Sequence, residues 1–121
     1  MKKLIVDLDN TLTMADADNY PGMSPNQAVI EKLGLYRSMG FSITINTSRN
    51  MRTYSGNVGK INIHTLPVIL EWLDKHKVPY DEVLVGKPWC GTEGFYIDDR
   101  SIRPDEFVNL SPEEISRLIG D

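Results

Sequence analysis

The sequence predicts an α/β protein, a three-layer α/β/α sandwich on a mostly parallel sheet, and three observations predict it. Short runs rich in β-branched and aromatic residues alternate with stretches of helical period. Strands separated by helices need crossover connections, which make neighbouring strands parallel and bury the sheet on both faces. The 121 residues suffice for one core and no second one, so residues 1–121 are expected to form a single domain.

Four runs carry the strand signal: LIVDL (4 to 8), FSITIN (41 to 46), EVLVG (82 to 86) and GFYID (94 to 98). EFVNL (106 to 110) is a weaker fifth. The first helix is expected from Pro25 to Met39. Ser24 and Pro25 suit an N-cap and first helical position, Val29, Leu33 and Tyr36 recur on one face, and Gly40 stands where a left-handed C-cap belongs. Leu66, Ile69, Leu70 and Leu73 mark a second helix over 65 to 77, ended by Pro79, with Trp72 among its core residues. Ser111, Pro112 and Glu114 have the spacing of a capping box and open a third helix that ends at Gly120. Residues 50 to 64 fit no element.

Composition narrows the function. With 40% hydrophobic and 25% charged residues this is an ordinary globular chain, and no apolar stretch is long enough to span a bilayer. The opening MKK is followed by too short an apolar run for a signal peptide, because Asp7 and Asp9 interrupt it. A lone cysteine, Cys90, allows no internal disulfide and fits a reducing compartment, so a cytoplasmic location is expected. The net charge of −4 disfavours nucleic acid as a partner. A small anionic substrate would need local positive charge or a metal.

In an open parallel sheet, ligands bind beyond the carboxyl ends of the strands, where loops diverge. The four strand ends deliver Asp7, Asp9 and Thr11; then Thr47, Ser48 and Arg49; then Lys87; then Asp98, Asp99 and Arg100. Carboxylates gathered at one edge repel unless a cation joins them. Mg2+ suits such a set, since it takes oxygen ligands, few of them from protein, and completes its shell with substrate phosphate and water. Lys87 adds a fixed positive charge and Thr47 a hydroxyl donor. Phosphoryl transfer needs little beyond positioning and charge neutralisation. Asp7 is then a nucleophile that is ionised at neutral pH, and Asp9 a group to protonate the leaving oxygen and later activate water.

The ordered set DLDNT (7 to 11), ITINT (43 to 47), VGKP (85 to 88) and YIDD (96 to 99) closely resembles the haloacid dehalogenase (HAD) superfamily of phosphohydrolases, whose signature follows the same order. The resemblance spans residues 4 to 99 and implies a Rossmann-like, HAD-like core. It implies that Asp7 attacks phosphorus to form an aspartyl-phosphate, that Asp9 is the acid/base, and that Thr47 and Lys87 hold the phosphoryl group. Mg2+ would be bound by the Asp7 carboxylate, the Asp9 carbonyl and Asp98, with Asp99 as the other candidate ligand. An Asp at the acid/base position favours phosphatase over dehalogenase chemistry. The intervals between motifs leave no room for a cap domain, so this looks like a capless member with MADADNYPG (14 to 22) as a short flap. Capless members act on large substrates or complete the open site through a neighbouring subunit, which makes a homo-oligomer one expected arrangement.

Substrate contacts are expected from Asn10, Ser48, Arg49, Arg52 and Lys60, with selectivity from residues 14 to 22 and 50 to 63. A small phosphorylated sugar or polyol is the expected substrate. GNVGK (56 to 60) is no P-loop, because Ile61 stands where Ser or Thr is needed and Tyr54 where the first glycine belongs. Two rivals are a receiver-like signalling module and a catalytically silent HAD-like binding protein. The first has its acidic pair, phosphorylated Asp and Lys in a different order, and the second would lack a required group, whereas none is missing here.

Overall fold

The computed structural model describes residues 2–120 and shows a small α/β fold with a three-stranded parallel sheet and five helices. The chain divides into two compact units, one ending at Trp89 and the other beginning at Cys90. Among the described residues no helix is long and apolar enough to cross a membrane.

The first unit holds β1 (Lys3–Val6), α1 (Gln27–Ser38), β2 (Ser42–Asn46), α2 (Val58–His64), α3 (Leu66–Lys75) and β3 (Glu82–Leu84). Its sheet runs β1-β2-β3 with both pairings parallel, Ile5 opposite Thr44 and Thr44 opposite Glu82. Crossovers of the usual right hand in this consecutive order lie on one face of the sheet. Burial follows that face: Ile43 and Ile45 of β2 are 0% exposed, as are Leu33 of α1 and Ile69 and Leu73 of α3, and Val29 of α1 is 1% exposed. On the opposite face Thr44 donates to Glu82 at 2.6 Å and Lys3 pairs with Glu82 at 3.2 Å, while Ile5 stays 66% exposed.

Helix α1 starts at Asn26, whose side chain accepts from the Val29 amide, two residues later than the expected Ser24 cap. Pro25 is held instead in a bridge to Thr13. The helix ends as expected: Gly40 has φ +93, its amide donates to Arg37 O, and the Phe41 amide donates to Tyr36 O, the two bonds of a Schellman motif. The rings of Tyr36 and Phe41 meet edge to face across that turn. The unassigned stretch 50 to 64 contains α2, which Asn57 caps by accepting from the Lys60 amide.

The second unit carries α4 (Pro104–Asn109) and α5 (Pro112–Leu118). The capping box of α5 forms as expected, Ser111 Oγ accepting from the Glu114 amide and Glu114 from the Ser111 amide. Two strand expectations are corrected. GFYID, residues 94 to 98, forms no strand, and EFVNL lies mostly in α4. Pro104 at the first helical turn and a Glu106 side chain accepting from the Arg103 amide make a helix start that overrides the strand preference of Phe107 and Val108.

Candidate active site

Parallel strands bring their carboxyl ends to one edge of the first unit, and three sequence-predicted residues meet there. Asp7 follows β1, Thr47 follows β2 and Lys87 lies beyond β3. The Thr47 amide donates to Leu84 O at 2.9 Å and the Lys87 amide to Thr47 O at 3.1 Å, which extends the β2–β3 ladder past its last assigned residues. Between them Gly86 takes φ +87, and a Cβ there would lie 3.1 Å from Val58 Cγ2. This left-handed residue turns the chain so that Lys87 Nζ reaches Asp7 Oδ1 at 3.4 Å.

The loop after β1 is closed on itself. Leu8 O accepts from the amides of Leu12 at 2.8 Å and Thr13 at 3.0 Å, while Leu8 and Leu12 are both 0% exposed and pin the turn to the core. Asn10 adopts φ +64, a conformation asparagine tolerates better than most side chains. The turn sends two hydroxyls back to the carboxylates: Thr11 Oγ1 donates to Asp7 Oδ2 at 3.2 Å and Thr13 Oγ1 to Asp9 Oδ1 at 3.3 Å. Asp7 is therefore oriented through both oxygens, one toward Lys87 and one toward Thr11.

Asp9 is held from the other strand. Arg49 Nη2 donates to Asp9 Oδ1 at 2.7 Å and Arg49 Nε to Asp9 Oδ2 at 3.0 Å, a bidentate pair in which the Arg49 side chain is 1% exposed and that of Asp9 29%. The Arg49 amide also donates to Thr47 Oγ1 at 3.0 Å. The ring of Tyr20, from the flap, lies 3.9 Å from Arg49 Cζ, and Arg49 Nη1 is buried without a hydrogen-bond partner.

Of the other expected substrate contacts, Asn10 is exposed and its amide serves the turn by donating to Thr13 Oγ1. Ser48 is half-buried, and Arg52 and Lys60 are exposed. A cleft of about 440 Å3 is lined by Tyr20, Arg49, Asn50, His64, Thr65 and Val68. Both segments expected to give selectivity contribute to it, through residues 18 to 21 and Asn50.

Asp98 and Asp99 belong to the second unit and are exposed. The Arg100 amide donates to Asp98 Oδ1 at 2.9 Å, and this bond, with a further one to the Asp99 side chain, holds the Asp98 carboxyl below its usual range. Among the described residues no group of three His, Cys, Asp or Glu side chains is gathered as a metal site. Sequence reasoning missed Thr13 and Gly86, and held Tyr20 only as part of the flap. Gly86, immediately before a polar residue at a strand end, was the one with a local signal.

No protein-family model matches the chain, and no curated protein does. It is similar to a crystal structure of an MCSG target from Vibrio cholerae, at 66% identity and TM-score 0.96 over 98% of this chain and 97% of that one. It is also similar to a chain in a structure of the Pnkp1/Rnl/Hen1 complex, at 18% identity and TM-score 0.53, covering 90% of this chain and 34% of that one, a likeness of fold alone. With two thirds of its residues identical over nearly the whole of both chains, the protein belongs to the same family as the Vibrio cholerae protein.

Proposed function

We propose that the protein is a Mg2+-dependent phosphomonoesterase of HAD-like, three-layer core that works through an aspartyl-phosphate on Asp7. Its substrate is a small phosphorylated sugar or polyol, met in the cytoplasm without nucleic-acid or membrane partners, and a second copy of the chain is a candidate for completing the open site. The observation that carries this reading is the Asp7–Lys87 pair at 3.4 Å, with Thr47 on the neighbouring strand end.

In this reading Asp7, oriented by Thr11, attacks phosphorus through one carboxylate oxygen. Lys87 and the Thr47 hydroxyl hold the equatorial phosphoryl oxygens, and Asp9 gives its proton to the leaving oxygen. In the second half-reaction Asp9 takes a proton from water, which attacks the aspartyl-phosphate and restores Asp7.

Charge and donor chemistry favour a divalent cation. Lys87 offsets the charge of Asp7, and with the Asp9–Arg49 pair the cluster offers a phosphate dianion at most one net positive charge, the value it has when Asp9 carries its proton. The Asp7 side chain, 36% exposed, offers hard oxygen donors, and Mg2+ asks for only one or two protein carboxylates beside phosphate and water. Asp7 and the Asp9 carbonyl would hold it. Bound there, Mg2+ would supply charge neutralisation for phosphoryl transfer.

The test is p-nitrophenyl phosphate turnover with Mg2+, compared with EDTA and with Asp7→Asn. Phosphate release that is abolished by both supports the reading. Turnover unaffected by either removes it.

A further inference from the structure

Arg49 carries a charge that a substrate-binding role leaves unexplained. Both donors on one edge of its guanidinium are spent on Asp9, its side chain is 1% exposed, and the Tyr20 ring covers its face. Its remaining terminal nitrogen, Nη1, has no hydrogen-bond partner but is itself buried, so the guanidinium offers no solvent-open donor to a phosphate. Its main-chain amide fixes Thr47 Oγ1 in addition, so one residue touches the group assigned to proton transfer and the group assigned to phosphoryl binding.

We infer that Arg49 is a positioning residue for proton transfer to the leaving group, holding the Asp9 carboxylate in one orientation while Tyr20 of the flap keeps the pair covered. This inference rests on the phosphatase reading and deepens it. The χ2 torsion of an aspartate is broad and roughly two-fold, and two parallel N–H···O bonds from a planar fork narrow it to one setting. The fork is itself anchored: its main chain by Thr47, its face by Tyr20, its surroundings by burial. The Thr13 hydroxyl supplies a third, longer contact to Asp9 Oδ1 and cannot replace the fork. Lysine in place of Arg49 would return a point charge without the parallel pair of bonds. Removal of the Tyr20 ring would admit water to the guanidinium face and loosen the hold without touching Asp9.

Leaving-group chemistry separates this role from a substrate contact and from a purely structural one. The p-nitrophenolate of p-nitrophenyl phosphate departs with little help from an acid, whereas the alkoxide of glycerol phosphate needs its proton. A variant that impairs Asp9 therefore loses more rate on the alkyl ester than on the aryl ester. The experiment measures kcat and KM on both esters with Mg2+ for the wild type, Asp9→Asn, Arg49→Met, Arg49→Lys, Tyr20→Ala and the Asp9→Asn/Arg49→Met double variant.

General acid catalysis is worth roughly 10²–10⁴-fold, so Arg49→Met is expected to lower kcat on glycerol phosphate by about 100-fold. Its loss on p-nitrophenyl phosphate should be about tenfold smaller, with KM little changed on either ester, and Arg49→Lys should fall nearly as far. Tyr20→Ala should shift the aryl-to-alkyl ratio in the same direction by a few-fold, and it tests the inference should Arg49→Met fail to fold. The double variant should be no slower than Asp9→Asn, because residues acting through one group are not additive. Equal losses on both esters, a rise in KM at unchanged kcat, or additive losses in the double variant each overturn the role of Arg49 while leaving the phosphatase reading intact. A wild type inert toward both esters overturns that reading and this inference together.

Discussion

Gly86 links the backbone of β3 to the position of Lys87, and Gly86→Ala tests whether that link matters. Alanine at φ +87 costs about 1–2 kcal/mol for the left-handed conformation. Restricting the unfolded chain returns about 0.4–1 kcal/mol of this. The new Cβ would lie 3.1 Å from Val58 Cγ2, which must yield by a few tenths of an ångström. Val58 is 43% exposed and has room to move, so crowding adds no more than about 1 kcal/mol, the low end for overpacking. The total is about 1–2 kcal/mol, a fall of roughly 5 °C in Tm for a chain of this size. Gly40→Ala is the control: φ is +93, nothing lies within 4 Å of its Cβ position, and it sits at the end of α1 away from the strand ends. It should lose only the conformational part and keep full turnover per folded molecule. Gly86→Ala should lose about tenfold to 100-fold in kcat besides, because an ångström of misplacement at a catalytic group has that effect. Thermal melts and p-nitrophenyl phosphate kinetics on both variants read the two parts separately. Equal Tm and equal turnover for the two alanine variants would refute the coupling of this turn to Lys87.

Leu33→Ala, at a helix position 0% exposed under β2, should destabilise by about 2–5 kcal/mol in urea unfolding, since alanine keeps the helix and leaves a cavity; a loss below about 1 kcal/mol would move the core elsewhere. The Ile43 amide, and after it the Arg37 guanidinium, hold the Asp81 carboxyl below its ordinary value of 3.8. A carboxyl lowered on folding contributes stability that is complete above its unfolded pKa and is lost as pH falls through its folded one. The urea midpoints of wild type and Asp81→Asn should therefore differ at pH 7 and converge below about pH 3.8; a gap that is constant down to pH 3 would contradict the assignment.

Local signals were legible in the sequence wherever a few neighbouring residues decide the backbone. The Gly40 terminus of α1, the Ser111–Glu114 box and the apolar stripe of α3 depend on contacts within one or two turns, and all three stand as read. The start of α1 shifted because Ser24 and Asn26 are both good caps, and the choice fell to the Thr13–Pro25 bridge, a contact across the flap that no local window contains. Residues 106 to 110 hold an aromatic and a β-branched residue that fit a strand, while Pro104 and Glu106 fit a helix start, and the hydrogen bond from the Arg103 amide decided for the helix. A segment such as 94 to 98 becomes a strand only when another strand pairs with it, which its own composition cannot establish.

At the site, position was legible and direction was not. Parallel order alone carries Asp7, Thr47 and Lys87 to one edge, because every strand of such a sheet ends on the same side. Which cation faces which carboxylate depends instead on the turn after β1. That turn, closed by three amides on Leu8 O, leaves Asp7 toward Lys87 and Asp9 toward Arg49. In sequence Arg49, just past a strand end where ligands bind, reads either as a substrate contact or as a solvated charge. A guanidinium with a side chain 1% exposed must be matched by a carboxylate within the fold, since an unpaired buried charge is too costly to keep. Its burial thus changes what the residue can do. An arginine at this edge is a candidate phosphate hook when open to solvent; closed beneath Tyr20, with two bonds of 2.7 and 3.0 Å to Asp9, it is a fixed partner of that carboxylate.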